Sequence, residues 1–117
     1  MQKVESTCLK ENPNVALLDV SNPDYLPPFL KVDQVTLVID HHYGFEDFWK
    51  KRLGENAVIE SMGAAATLVF EQIEKSGGVS ELNHDVLLLI YTAIVSNSLN
   101  LKAAVTQKRD IAAAEKI

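Results

Sequence analysis

The chain has 117 residues, 47% of them hydrophobic with mixed charges, which fits one globular domain and excludes a disordered or fibrous polypeptide. A formal net charge of -5 argues against non-specific binding to nucleic acid, although a bound divalent ion would still let a small phosphorylated substrate approach. The lone cysteine, Cys8, excludes an internal disulfide and a thiolate zinc site; with no apolar run near the ~20 residues of a membrane span and no signal peptide at Met1, a reducing cytoplasm is expected.

Residues 2–11 are polar and mildly amphipathic, a short helix or a frayed lead-in, and Glu11-Asn-Pro-Asn14 breaks them off. Val15-Ala-Leu-Leu18 reads as a strand that ends at Asp19. Ser21-Asn-Pro-Asp24 brings turn chemistry, and Pro27-Pro28 prevents a long helix after it. Val35 to Ile39 is a continuous apolar and β-branched run, expected to be a strand of a parallel sheet buried on both faces. It feeds directly into Asp40, His41 and His42. The two strands are too close in sequence for a full helical crossover, so a short or irregular connection is expected.

Tyr43-Gly-Phe-Glu-Asp-Phe-Trp49 places aromatics either as a lid over a site or as cover for the core. Lys50-Lys-Arg52 reads as a solvated face rather than a phosphate clamp. Ala57-Val-Ile-Glu60 suggests a further short strand, followed by a helix from Gly63 to Lys75 with Ser61 as its cap and Ser76-Gly-Gly78 as its stop. Leu82 to Ser96 is the most hydrophobic segment. Its apolar residues surround the helix, which predicts burial on more than one side, with His84 at the surface. Thr106 is expected to cap a last helix from Gln107 to Lys116.

Ligands of open α/β sheets sit beyond the carboxyl ends of the strands, where Asp19 and Asp40-His41-His42 fall. The alternative is a capping Asp followed by two surface histidines. Oxygen and imidazole donors without thiolates suit manganese, magnesium or iron, with zinc less distinctive. Metal pairs bridged by a carboxylate are the usual device for in-line attack on phosphorus, because they supply a nucleophile at neutral pH and clamp the phosphoryl oxygens. No Ser-His-Asp arrangement and no phosphate-cradling Gly-rich loop accompanies these residues, since Gly77-Gly78 follows a helix. Metal-assisted hydrolysis of a phosphoester or phosphoanhydride is the sharpest chemistry they allow.

Val38-Ile-Asp-His-His42 resembles the signature of the DHH phosphoesterase superfamily. Asp19 matches that family's second motif, and Ser61-Met-Gly-Ala-Ala-Ala-Thr67 is similar to the segment that opens its next helix. Tyr91 to Lys102, with Thr106 and Asp110, is most similar to the manganese-dependent (family II) inorganic pyrophosphatases, with the exopolyphosphatases close behind. The likeness extends over about residues 15 to 115. It implies an α/β fold, a parallel sheet flanked by helices, with Mn2+ or Mg2+ as cofactor. Asp19 would bridge two metals and His41 would ligate one. His42 would contact substrate phosphate, and Asp40 would support the site. Asn97 stands where the family usually has a carboxylate ligand, so weaker affinity for one metal is implied, or else Asn97 merely ends a helix. Lys102 is implied in substrate binding.

Two parts of the family pattern are not found: the first strand with its His and two Asp residues, and the smaller C-terminal domain that supplies basic residues. The expectation is therefore that residues 1–117 are a partial DHH domain from a larger enzyme. The expected activity of the parent is manganese-dependent hydrolysis of pyrophosphate or polyphosphate, acting on a small phosphate-containing substrate. A short oligonucleotide or cyclic dinucleotide is the rival substrate. A non-catalytic regulatory or interaction domain is the rival class, in which an exposed sheet edge favours homo-oligomers.

Overall fold

Three short apolar runs become the strands of one parallel sheet in the computed structural model, which describes residues 13–117. The strands are β1 (Val15–Leu18), β2 (Val35–Asp40) and β3 (Ala57–Ile59), in the order β1-β2-β3. Leu17 pairs with Val38 and Leu18 with Ile39, while Val38 pairs with Ala57 and Asp40 with Ile59. The expected α/β architecture is what the chain adopts. The link from β1 to β2 is irregular, as the short spacing requires, and contains 3-10 turns at Pro23–Tyr25 and Val32–Gln34. The lead-in segment 2–11, with Cys8, falls within residues 1–12, outside the described residues.

Among the described residues four helices accompany the sheet: α1 (Glu46–Leu53), α2 (Ala65–Lys75), α3 (His84–Asn97) and α4 (Lys108–Lys116). The alternation of side chains along a strand decides which helix each residue meets. Leu17, Val38 and Ala57 pack with Trp49 of α1 on one face, and Val35, ahead of a register shift in the β1–β2 pairing, joins the same cluster. Ile39, with Leu37 and Val58 beside it, packs with Met62 and Leu68 on the α2 side. Both faces of β2 are therefore covered, as its apolar run predicts. A second layer forms where Phe70 of α2 meets Ile94 of α3 and Ala113 and Ala114 of α4. Each large apolar side chain buried in these clusters contributes about 1.5–3 kcal/mol.

The aromatic segment divides its duties. Trp49 is fully buried, Phe45 and Phe48 pack partly buried against it, and Tyr43 stays exposed. In α1 the acidic Glu46 and Asp47 occupy the first turn and Lys50, Lys51 and Arg52 the last, each favourable toward the helix dipole. The basic run is exposed, as expected.

Three expectations are corrected. Ser61 does not cap α2: the helix starts at Ala65 behind an extended Ala64, and the Gly63 and Ala64 amides just before it donate to Asp110 from α4. Thr106 does not cap α4 either. Gln107 takes the cap position, its amide donating to Asp110, while the Thr106 hydroxyl donates to the Ser98 carbonyl. The same carboxylate serves both starts: it reaches the segment before α2 from another helix, and within α4's own first turn it receives the Gln107 amide three residues away. The third correction concerns α3, which is capped by the Asn83 side chain at its start. Only Ile94 is buried, and Leu88 and Leu89 are 51% and 70% exposed. Helix hydrophobicity records what could be covered. Among the described residues α2 and α4 pack against one side of α3, and the opposite side stays open. No helix among the described residues is long and apolar enough to cross a membrane.

Candidate metal centre

The ladder of β2 continues past its last residues on both sides. The Asp19 amide donates to the Ile39 carbonyl at 2.9 Å, and the Glu60 amide to the Asp40 carbonyl at 3.2 Å. The ends of all three strands thus meet at one edge of the sheet, with Asp40-His41-His42 in the middle. Asp19 then turns off β1 in the left-handed region, at φ 62°. An aspartate tolerates that conformation better than most residues, and here it aims the carboxylate at the neighbouring strand's histidines.

His41 is held from behind. Its Nδ1 lies 2.9 Å from the Met62 carbonyl oxygen, and a carbonyl only accepts, so Nδ1 carries the hydrogen. The lone pair of the neutral ring is then on Nε2, which stands 3.1 Å from Asp19 Oδ1. Two electron-rich atoms face one another at that distance only with a cation or a proton between them. Donors sharing one ion at ~2.1 Å lie about 3.0–3.4 Å apart, so the observed separation fits a metal.

His42 is oriented by the other carboxylate. Its Nδ1 donates to Asp40 Oδ1 at 2.7 Å, which leaves Nε2 for a ligand or for substrate. The ring is largely exposed and stands edge-on to His41, with centroids 4.6 Å apart. Asp19, His41 and His42 can bring one donor atom each within 4.8 Å of one another, and exposed acidic groups also cluster in proteins without any ion.

Asp40 is fully buried. Burial by itself would push its carboxyl up. The nearby Ser21 hydroxyl, the His42 ring and the His41 and His42 amides outweigh it, and hold the group below the usual carboxylate range. Oδ1 accepts from the His41 amide at 2.8 Å and the His42 amide at 3.3 Å. Ser21 lies close enough to favour the charge without the geometry of a hydrogen bond, so Oδ2 has no partner. The oxygen and imidazole donors of Asp19 and His41, which converge to 3.1 Å, fit the residues to a cationic ligand.

Beside it opens a cavity of about 280 Å³ lined by Asp19, Ser21, Asn22, Tyr25, Asp40, His42, Tyr43 and Phe45, among others. Asp19, Asp40, His41 and His42 are therefore brought together. Asn97, the exposed last residue of α3, and Lys102, exposed in the turn after it, do not line this cavity. His84 is exposed at the start of α3. Sequence reasoning missed Ser21, the Met62 carbonyl and the role of Asp110. Met62 acts through its backbone carbonyl, which side-chain identity does not reveal, and Ser21 reaches Asp40 only because the loop after β1 folds back beside it.

No protein-family model matches the chain, and no curated protein is significantly similar to it.

Proposed function

We propose that this chain carries the metal site of a DHH-type phosphohydrolase that cleaves phosphoanhydride bonds of pyrophosphate or polyphosphate, with manganese or magnesium as its ion. The observation that carries this reading is His41 Nε2 facing Asp19 Oδ1 at 3.1 Å, with the other ring nitrogen already engaged by a carbonyl. A divalent ion held there would supply positive charge for phosphate oxygens and lower the pKa of the attacking water. Asp19 and His41 hold the ion. His42 presents Nε2 to a phosphate oxygen and can give or take a proton there, while Asp40 fixes that ring through Nδ1. Asn97 as a further oxygen ligand and Lys102 as a phosphate contact rest on the family resemblance alone. The single cysteine supports a cytoplasmic setting.

One observation favours a second substrate. Tyr25, Tyr43 and Phe45 line the cavity beside Asp40, and their faces suit a stacked nucleobase, as in a short oligonucleotide or cyclic dinucleotide. Self-association is supported by β1, which is an edge strand among the described residues and carries a half-exposed Leu18.

The test is a manganese titration followed by thermal unfolding, with His41→Ala and Asp19→Ala as controls. Manganese at a hundred times its Kd stabilises by about 2.7 kcal/mol. For a domain of this size that raises Tm by roughly 10 °C. Loss of the shift in both variants, with phosphate release from pyrophosphate in the wild type, supports the reading. A folded chain that ignores manganese refutes it and favours the non-catalytic interaction domain.

A further inference from the structure

We propose that Asp110, on α4, is a positioning residue for the metal donor His41, acting through the Met62–Gly63 peptide. The inference rests on the metal site proposed above. One peptide unit joins the two residues. Its carbonyl oxygen, on Met62, accepts from His41 Nδ1 at 2.9 Å, and its N–H, on Gly63, donates to Asp110 Oδ2 at 3.0 Å. From Asp110 to Asp19 there is thus an unbroken chain: carboxylate, peptide, imidazole, and the second carboxylate 3.1 Å from Nε2.

Asp110 is fully buried, and every partner it has is a donor. Gly63 N and Gln107 N donate to Oδ2, while Ala64 N and the Thr67 hydroxyl donate to Oδ1. Four convergent donors leave the carboxylate a single orientation, and that orientation fixes the plane of the peptide. Gly63 is needed for the approach. A Cβ on it would lie 2.6 Å from Asp110 Oδ2 and 3.2 Å from Thr106 Cα, so any side chain pushes the carboxylate away. A carboxylate on the N–H also polarises the peptide, which makes the Met62 oxygen a stronger acceptor. The consequence lies at His41: hydrogen on Nδ1, lone pair on Nε2, and a ring held toward Asp19. An outer partner of this kind typically changes metal affinity by 10–100-fold. The alternative is that Asp110 serves only as the missing cap of α2. That role would cost stability on removal without touching the imidazole.

Nitrogen-15 NMR of the full chain with magnesium, a diamagnetic ion that keeps a cation between Nε2 and Asp19, separates the two at a pH where the ring is neutral. The His41 signals are assigned by their loss in His41→Ala. The wild type is expected to hold the hydrogen on Nδ1. Asp110→Asn, close in shape but without the charge, is expected to move His41 toward the Nε2–H form and to weaken manganese binding tenfold or more. Thr67→Val removes a donor from Oδ1 only, so it lowers stability and leaves the tautomer where it was. Should Asp110→Asn not fold, Gly63→Ala displaces the same oxygen and carries the comparison. A wild type with hydrogen on Nε2, or a folded Asp110→Asn that keeps the wild-type tautomer, overturns the proposal. A wild type that binds no manganese refutes the metal site. The tautomer comparison still decides whether Asp110 positions His41.

Discussion

Trp49→Phe tests how the core and the site loop are tied together. Trp49 is the only tryptophan and is fully buried among Leu17, Val35, Val38 and Ala57, with Phe48 edge-on at 5.0 Å. Its indole N–H donates to the Ser21 carbonyl at 2.6 Å, across from α1 to the loop after β1. Phenylalanine keeps the apolar contact but cannot donate, and Ser21 is itself buried, so no water replaces the lost hydrogen. An unsatisfied buried acceptor costs about 1–3 kcal/mol. The smaller ring leaves a void that adds roughly 1 kcal/mol. The expected loss is therefore about 2–4 kcal/mol, a large part of the ~5–15 kcal/mol available to a domain. At about 4 °C per kcal/mol it lowers Tm by roughly 8–16 °C. Urea unfolding followed by far-ultraviolet circular dichroism measures it, since the variant has lost the fluorescent probe. A change in stability below about 0.5 kcal/mol would show that the bond to Ser21 does not tether the loop.

Leu89 is 70% exposed, so Leu89→Gln should change stability by less than about 0.5 kcal/mol; a loss above 2 kcal/mol would mean that something covers α3. Asp40 is held below its ordinary carboxylate value in the fold, so protons bind the unfolded chain more readily. Its contribution is then fully present above the unfolded value and lost as pH falls through the lower folded one. Urea midpoints measured from about pH 6 down to pH 3 should show this acid loss in the wild type and a shallower one in Asp40→Asn, with equal slopes as the refuting result. Arg109 forms a bidentate pair with Glu71 and a second contact to Glu60, at 48% exposure. Arg109→Ala should cost only about 0.5–1 kcal/mol at low salt, less in 1 M salt, and a salt-independent loss would point to packing instead.

Much of the sheet was legible in one dimension. Val15 to Leu18, Val35 to Ile39 and Ala57 to Ile59 are strands because short apolar runs between turn residues have few other ways to bury themselves. The alternation along β2 and β3 also decides which side chains meet α1 and which meet α2. Asp19 and Asp40-His41-His42 were recognisable as candidates because they follow strand ends, a position that survives any detail of packing.

What sequence order alone determined about this protein, then, is its local grammar: which segments form strands and helices, and which polar groups stand at their carboxyl ends. Tertiary structure decided everything that depends on a partner far along the chain. Among the described residues it left one side of α3 uncovered, because hydrophobicity is a property of the helix while burial is a property of its neighbours. It gave the amides before α2 to Asp110 rather than to Ser61, since a carboxylate 46 residues away in sequence can lie closer in space than a hydroxyl three residues off. It also chose the nitrogen of His41 that faces Asp19, through a backbone carbonyl that every residue possesses and no side-chain pattern reveals.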